Sequence, residues 1–265
     1  MQTVGELWGL HPLPGYLLLV LAASLVGGWL GWLNCLNWGR APAAAAAAQP
    51  TVRPWGALLA FTAALLAASL FALIALQLGP HAGLSVADQA LTDAIHAHTP
   101  AAALPWFARL THLADPAWLV LLTAGIAAWL WQRQRRDLLL VWLVATGGNA
   151  ILNPLLKGLF ARARPIFDPL LTQASGFSFP SGHSSGAAVC YGMLWYIALC
   201  TLGRRRRLVA SFVLPALIVA VAGSRVFLSV HFASDVWAGL LSGSAWTALC
   251  IGVFEWRQRA TAERR

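Results

Sequence analysis

Residues 179–202 read FPSGHSSGAAVCYGMLWYIALCTL, and this stretch contains both features that decide the fold. A short polar segment opens it, and an apolar run over 184–202 follows. That run approaches the roughly 20 residues with which an α-helix crosses a bilayer. Six further segments have the same apolar character: 16–36, 55–78, 117–132, 138–156, 208–223 and 236–254. The sequence therefore predicts an all-α, polytopic transmembrane helical bundle.

Composition supports a membrane protein and argues against a nucleic-acid partner. Hydrophobic residues make up 59% of the 265 residues and charged residues only 10%, whereas soluble domains have about 25% charged residues. The net charge is +9, but the positive residues are confined to short clusters between apolar segments. This distribution is typical of cytoplasmic loops. A transmembrane barrel would show shorter, alternating segments instead.

The chain divides into three parts on this reading. We expect a membrane helix and cytoplasmic linker at 1–54, a core at 55–255 and a basic tail at 256–265. Residues 80–115 are less apolar and predict short helices at the membrane interface, with a solvated face formed by Asp88, Asp93, His96 and His98. Asp115 before Pro116 predicts a side-chain helix cap. The four cysteines lie within or at the ends of apolar segments without a CxxC pair, so we expect buried thiols.

Basic residues predict the orientation. If seven segments cross the membrane, four arginine groups fall on one side: Arg40 and Arg53; Arg133, Arg135 and Arg136; Arg204 to Arg207; and Arg257, Arg259, Arg264 and Arg265. The positive-inside rule places that side in the cytoplasm. The remaining basic residues fall on the outer side: Arg109, Lys157, Arg162, Arg164 and Arg225. Cations on the disfavoured side suggest an anionic ligand.

The segment SRVFLSVHFASD, residues 224–235, has the composition of a nucleophilic site. His231 and Asp235 are four residues apart, so they would share one face of a helix. The carboxylate would accept the Nδ1–H of the imidazole and leave Nε2 as a nucleophile. Arg225 would bind a phosphate beside it. A polar patch inside a helical bundle is the alternative for this pair taken alone.

Two further segments supply phosphate-binding groups. In PSGH, residues 180–183, Ser181 would cap a helix whose N-terminus attracts anions, and Gly182 would allow close approach. His183 beside that anion would be a general acid. The third segment, KGLFARARP, contains Lys157, the only lysine of the chain, and Arg164. The alternative for PSGH is a capped helix with an interfacial histidine. The alternative for KGLFARARP is a basic cluster that snorkels at the membrane surface. Arg162 has no assigned role.

Taken together, the three segments resemble the signature motifs of the type 2 phosphatidic acid phosphatase superfamily, the lipid phosphate phosphatases. Their patterns K-x6-R-P, P-S-G-H and S-R-x5-H-x3-D are matched in full and in order. The resemblance covers roughly residues 60–255 and implies a six-helix core, so that the helix at 16–36 would be an extra one.

The resemblance also implies a mechanism. His231 would be the nucleophile that forms a phosphohistidine, Asp235 would orient it, and His183 would protonate the leaving oxygen. The phosphate would be bound by Lys157, Arg164, Ser181, Gly182 and Arg225, with no metal and no cofactor.

We therefore expect a metal-independent phosphatase that removes phosphate from a lipid phosphate or pyrophosphate at the outer face of a bacterial inner membrane. Undecaprenyl pyrophosphate, or a broad range of lipids, is the favoured substrate; phosphatidylglycerol phosphate, phosphatidic acid and diacylglycerol pyrophosphate stay open. Two rival functions remain. One is a lipid phosphotransferase or a soluble-phosphate hydrolase with the same site; the other is a non-enzymatic protein that binds a metal or transports an anion. The oligomeric state is not encoded in any feature of the sequence.

Overall fold

The computed structural model describes residues 11–38, 55–79, 82–166 and 175–263, which are mostly helical and contain no strand. We number the α-helices in chain order: α1 (Pro12–Trp38), α2 (Gly56–Ala75), α3 (Gly83–His98), α4 (Leu104–Thr111), α5 (Pro116–Gln132), α6 (Arg136–Phe160), α7 (Gly182–Thr201), α8 (Arg204–Phe227) and α9 (Ala233–Ala262). Single 3-10 turns flank α4 at Ala101–Ala103 and His112–Ala114. The predicted linker, with Arg40 and Arg53, and the terminal Arg264 and Arg265 lie outside the described residues.

All seven predicted apolar segments lie on helices, and the protein is an integral membrane bundle. Among the described residues, six helices are long and apolar enough to cross a membrane: α1, α2, α6, α7, α8 and α9. The predicted segment at 117–132 forms α5, which has 17 residues. It qualifies as a seventh span only together with residues 101–114, from which it is bent by 46°. The polytopic all-α fold is therefore confirmed.

The surface of the bundle is apolar, as contact with lipid requires. On α2, Leu59 and Leu65 are two-thirds exposed, and similarly exposed leucines and tryptophans continue along α1. Polar residues concentrate inside and at one end instead, as expected of a bundle in lipid. The four cysteines are free thiols; Cys35, Cys190 and Cys250 are buried, and Cys200 is partly buried.

Glycines allow close contact between two helix pairs. On α1, a Cβ at Gly27 would collide with the backbone oxygen of Ser211 on α8. On α9, Cβ atoms at Gly239 and Gly243 would lie 2.5 and 2.6 Å from the carbonyl oxygens of Ser181 and Ser185. These glycines therefore mark close contacts of α1 with α8 and of α9 with α7. The α9 contact also fixes the start of α7, where the PSGH segment lies.

The two ends of the bundle differ in chemistry. At one end, the Tyr196 hydroxyl of α7 donates to Glu255 of α9 at 2.5 Å, and Arg207 of α8 donates to the carbonyl of Leu202 at 2.5 Å. The arginine groups at 133–136, 204–207 and 257–259 flank these helix ends. The C-termini of α6 and α8 and the N-termini of α7 and α9 form the opposite end, which holds the three motif segments.

Replacing Gly239 with alanine tests the α7–α9 contact. We expect Gly239→Ala to lower the unfolding temperature in detergent, because the new methyl group forces the Ser181 carbonyl away from α9. Gly147→Ala is the matched control on α6, where a Cβ meets nothing within 4 Å. The control should be neutral or stabilising, since alanine favours a helix over glycine by about 1 kcal/mol. Equal unfolding temperatures for both variants would contradict the close contact.

Candidate active site

His231 and Asp235 meet at the turn between α8 and α9. His231 is 1% exposed, and its Nδ1 lies 3.5 Å from Oδ2 of Asp235. The hydroxyl of Ser178 donates to the same Oδ2 and lies 3.4 Å from Nδ1. The carboxylate and this serine therefore hold the imidazole together.

The expectation that His231 and Asp235 share a helical face is wrong, although the contact exists. Helix α8 ends at Phe227 and α9 begins at Ala233, so His231 lies in the connecting turn. Ser229 takes a positive φ of 53° there. Asp235 lies in the first turn of α9, where its carboxylate accepts the N–H of Phe232 at 3.0 Å. The carboxylate thus caps the helix and faces His231 at once.

Arg164 reaches the other ring nitrogen of His231. Its Nη1 lies 3.1 Å from Nε2 and donates to the carbonyl of Val230 at 2.8 Å. Because a guanidinium only donates, Nε2 carries the lone pair and Nδ1 the proton. Burial lowers the pKa of His231 to about 3, against a smaller opposing effect of Asp235. The imidazole is therefore neutral at ordinary pH, as a nucleophile must be.

Arg164 belongs to a cluster of three cations, whose other members are Lys157 and Arg225. Arg164 also donates to the carbonyls of Ser175, Gly176 and Phe177, and Lys157 donates to Phe177 as well. Arg225 is 4% exposed and donates to the Thr111 hydroxyl at 2.6 Å. Within the described ranges, Nε of Arg225 has no hydrogen-bond partner, and none of the three cations forms an ion pair with a carboxylate. Such a cluster is suited to bind an anion.

The PSGH segment forms the N-terminus of α7, as predicted. The Ser181 hydroxyl accepts the N–H of Ser184 at 3.4 Å, which makes Ser181 the N-cap. A Cβ at Gly182 would lie 3.1 Å from Oδ1 of Asn153 and 3.9 Å from Cε of Lys157. The backbone of α7 therefore begins directly beside the lysine of the first motif.

His183 has a carboxylate of its own. Its Nε2 lies 2.9 Å from Oδ1 of Asp115, and Oδ2 of Asp115 lies 2.6 Å from Nδ1 of His112. Asp115 does begin α5, but the structure records no capping hydrogen bond from its side chain. The predicted cap is therefore wrong, because the carboxylate is engaged by the two histidines.

Comparison with known proteins identifies the family. The sequence model of the PAP2 superfamily matches residues 138–259. A phosphatidylglycerophosphatase B of Bacillus subtilis is 38% identical over 139 residues, which are 51% of this chain and 66% of that protein. A decaprenylphosphoryl-5-phosphoribose phosphatase of Mycobacterium tuberculosis is 33% identical over 54% of this chain and 75% of its own length. This chain belongs to the PAP2 superfamily.

A solved PAP2 structure shares the fold. The crystal structure of a transmembrane PAP2-type phosphatidylglycerolphosphate phosphatase from Bacillus subtilis superposes with a TM-score of 0.67 and 30% identity. The match covers 72% of this chain and 94% of that one. The resemblance inferred from the three motifs and the expected enzyme class, a phosphatase, are thus confirmed. The roles of the individual site residues stay predictions.

Sequence reasoning missed a buried ion-pair cluster in this PAP2 protein. Asp88, interpreted as part of a solvated helix face, is 3% exposed and pairs with Arg162. That interpretation is wrong for Asp88, although Asp93 and His98 are exposed. The available signal was spacing: Asp88, Thr92 and Ile95 lie on one face of α3, and all three are buried.

Phosphate should stabilise the protein through the three-cation cluster. Inorganic phosphate at about ten times its dissociation constant adds roughly 1.4 kcal/mol of stability by mass action, which raises the unfolding temperature by a few degrees. Arg225→Gln should abolish this rise, because it removes a buried cation with an unused donor. Arg109→Gln is the control, since Arg109 is exposed and lies 5.2 Å from the ring centre of Trp106. A full phosphate response in Arg225→Gln would exclude Arg225 from the anion site.

Proposed function

We propose that this protein hydrolyses the terminal phosphate of a lipid phosphate or lipid pyrophosphate through a phosphohistidine on His231, without a metal ion. The observation that carries the proposal is the cluster of Lys157, Arg164 and Arg225, in which Arg164 contacts one neutral, oriented imidazole. Among the described residues these cations have no carboxylate partner, so they supply the charge that a phosphoryl group requires. The imidazole supplies the nucleophile.

The first step transfers the phosphoryl group to the protein. The Nε2 lone pair of His231 attacks phosphorus while the bond to the leaving oxygen breaks. Arg164, which donates toward Nε2, is positioned to take a phosphate oxygen as the new P–N bond forms. His183 donates a proton to the leaving oxygen, and the lipid alcohol or, from a pyrophosphate, the lipid monophosphate departs. Asp235 stabilises the positive charge that develops on His231.

The second step regenerates the protein. His183, now neutral, accepts a proton from a water molecule whose oxygen attacks phosphorus. The P–N bond breaks, inorganic phosphate leaves, and His231 recovers its lone pair. Asp115 supports both steps, because its contact with Nε2 fixes the orientation of the His183 ring. Fixed cations stabilise the charge on the phosphoryl oxygens throughout.

Several observations support a lipid as the substrate. The relatives named above act, by name, on phosphatidylglycerophosphate and on a decaprenyl-linked sugar phosphate, and both carry a terminal phosphate on a lipid. A groove of about 960 Å³ leads to Arg164 between α2, α3 and the end of α6. Apolar side chains dominate its lining, among them Leu78, Val86, Leu159 and Phe160. Such a groove suits a lipid chain whose phosphate lies at Arg164.

The charge distribution supports an outward-facing site. The arginine groups lie at one end of the bundle and the motif segments at the other. Since basic loops favour the cytoplasmic side, the site would face the exterior or periplasm, in a bacterial inner membrane. Lipid phosphates of the outer leaflet, including polyprenyl pyrophosphates, are then accessible substrates.

Phosphate release in the presence of EDTA tests the reaction. Wild type should release phosphate from at least one of undecaprenyl pyrophosphate, phosphatidylglycerol phosphate and phosphatidic acid, and His231→Ala should release none. His98→Ala is the control, because this exposed histidine bonds to the carbonyl of Ala94 in its own helix. With a radiolabelled terminal phosphate, wild type should form an alkali-stable, acid-labile phosphoprotein.

The same experiment separates the rival functions. Label that appears in a lipid or sugar acceptor instead of free phosphate would replace the hydrolase with a phosphotransferase. Activity that disappears with EDTA would overturn metal independence. If folded wild type neither releases nor transfers phosphate from any of these lipids, a non-enzymatic anion-binding role takes precedence.

Leaving-group dependence tests the role of Asp115 and His183. Asp115→Asn should lower kcat/KM, which reports the first step, by about 10²-fold for a lipid phosphomonoester, the lower part of the range for general acid catalysis. For p-nitrophenyl phosphate the loss should be much smaller, because that leaving group departs without protonation. Equal losses on both substrates would argue that Asp115 maintains structure only. His112→Ala serves as comparison, since it removes the outer histidine and leaves the Asp115–His183 pair.

A further inference from the structure

A buried cluster lies behind the His231–Asp235 pair and joins three separate parts of the chain. Arg162 follows α6, Asp88 lies on α3, and Ser234 and Asp235 open α9. Nη1 of Arg162 donates to Oδ1 of Asp235 at 2.6 Å and to the Ser234 hydroxyl at 2.7 Å. Nη2 donates to Oδ2 of Asp88 at 2.9 Å. One guanidinium thus bridges two carboxylates that belong to different helices.

Asp88 completes the cluster from the side of α3. Its Oδ1 accepts the backbone N–H of Ser234 at 3.1 Å, and the Ser234 hydroxyl donates to Oδ2. The carboxylate of Asp88 therefore occupies the N-terminus of α9, where the helix dipole favours a negative charge. The Arg162 guanidinium lies 4.4 Å from the ring centre of Phe232, which covers it against the turn that carries His231.

The charges explain why Arg162 is required. Asp88 and Asp235 are both buried and share one cation, and removing one partner of a buried ion pair leaves an uncompensated charge. Without Arg162, two carboxylates face each other, and the mutual repulsion favours protonation or displacement of one. Where Asp235 is the carboxylate affected, either change removes the negative charge that it offers to Nδ1 of His231.

The two carboxylate oxygens of Asp235 have different partners, and this difference supports the same conclusion. Oδ2 of Asp235 faces His231, Ser178 and the N–H of Phe232. Oδ1 is the atom that Arg162 holds. The rotation of the carboxylate about its last bond is therefore set by Arg162 on one oxygen, while the other oxygen is kept for the imidazole.

We propose that Arg162 is a positioning residue of this active site. It orients the Asp235 carboxylate and stabilises its buried negative charge, and Asp88 on the peripheral helix α3 holds Arg162 in place. The inference rests on the proposed role of His231 as nucleophile. It assigns a function to an arginine that does not belong to the phosphate-binding cluster, and it makes α3 part of the catalytic support.

Kinetics of purified full-length variants test this proposal. Arg162→Gln should lower kcat by about 10- to 100-fold, the usual cost of removing a group that orients a reactive residue, and should leave KM nearly unchanged. Arg162→Lys keeps the positive charge but lacks the two guanidinium nitrogens that bond to separate carboxylates, so it should fold like wild type and have an intermediate kcat. Both variants should keep the phosphate-induced rise in unfolding temperature, because the anion site is intact. Arg109→Gln is the matched control and should behave as wild type.

The connection to Asp88 is tested by combining variants. Asp88→Asn should lower kcat by several-fold, and the double variant Asp88→Asn/Arg162→Gln should be no slower than Arg162→Gln alone. Independent effects would multiply instead. Asp137→Asn is the carboxylate control, since Asp137 pairs with Arg135 at the other end of α6.

Three outcomes would overturn the proposal. Arg162→Gln could have an unchanged kcat per folded molecule and only a lower unfolding temperature, or the effects of the Asp88 and Arg162 variants on kcat could multiply. The third outcome is that Arg109→Gln loses as much kcat as Arg162→Gln. A wild type that releases no phosphate would instead contradict the proposed function. In that case a structure of Arg162→Gln gives the deciding readout. We expect the Asp235 carboxylate to leave its position beside Nδ1 of His231, and an unmoved carboxylate would refute the positioning role.

Discussion

The constraint on which the site depends is the cost of placing three cations at the end of an apolar bundle. A single charge within a transmembrane helix costs about 2.5–3.5 kcal/mol on insertion scales. Among the described residues, hydrogen bonds to backbone carbonyls and one hydroxyl, and not ion pairs with carboxylates, offset this cost for Lys157, Arg164 and Arg225. The carbonyls at 175–177 and at 230 accept these hydrogen bonds from Arg164 and Lys157. Positive charge is left available for an anion.

The two histidines of the site each have a carboxylate partner, but they differ in their surroundings. Each ring has a carboxylate near one nitrogen, Asp235 for His231 and Asp115 for His183. His231 is buried among cations, so it stays neutral and retains its lone pair. His183 pairs with a carboxylate that is 37% exposed and in contact with the exposed His112. Asp115 therefore connects His183 to solvent, whereas Asp235, beside His231, is fully buried, and the roles proposed for the two histidines agree with this difference.

Motif order and apolar periodicity were sufficient to predict the helices, the family and the segments that converge. They were not sufficient for contacts that depend on how helices end. The His231–Asp235 contact was expected on one helix, but Ser229 ends the regular backbone and α9 starts only at Ala233. Arg162, which pairs with Asp88, and His183, which contacts Asp115, lie 74 and 68 residues away from these carboxylates in sequence, so no local pattern could name them. Burial of Asp88 was readable from its helical spacing with Thr92 and Ile95, although its partner was not.

Arg162 and Arg164 are two residues apart, and both reach the turn between α8 and α9. Arg164 contacts Nε2 of His231 and Arg162 contacts Oδ1 of Asp235, so one short segment addresses both members of the pair. Their surroundings separate their roles. Among the described residues, the partners of Arg164 are carbonyls and an imidazole, whereas Arg162 pairs with the carboxylates of Asp88 and Asp235. In the proposed mechanism this segment binds the phosphate with Arg164 and fixes the orienting carboxylate with Arg162, which couples anion binding to the geometry of the nucleophile. For that reason we expect the backbone from Arg162 to Arg164 to keep the geometry that directs each arginine to its partner.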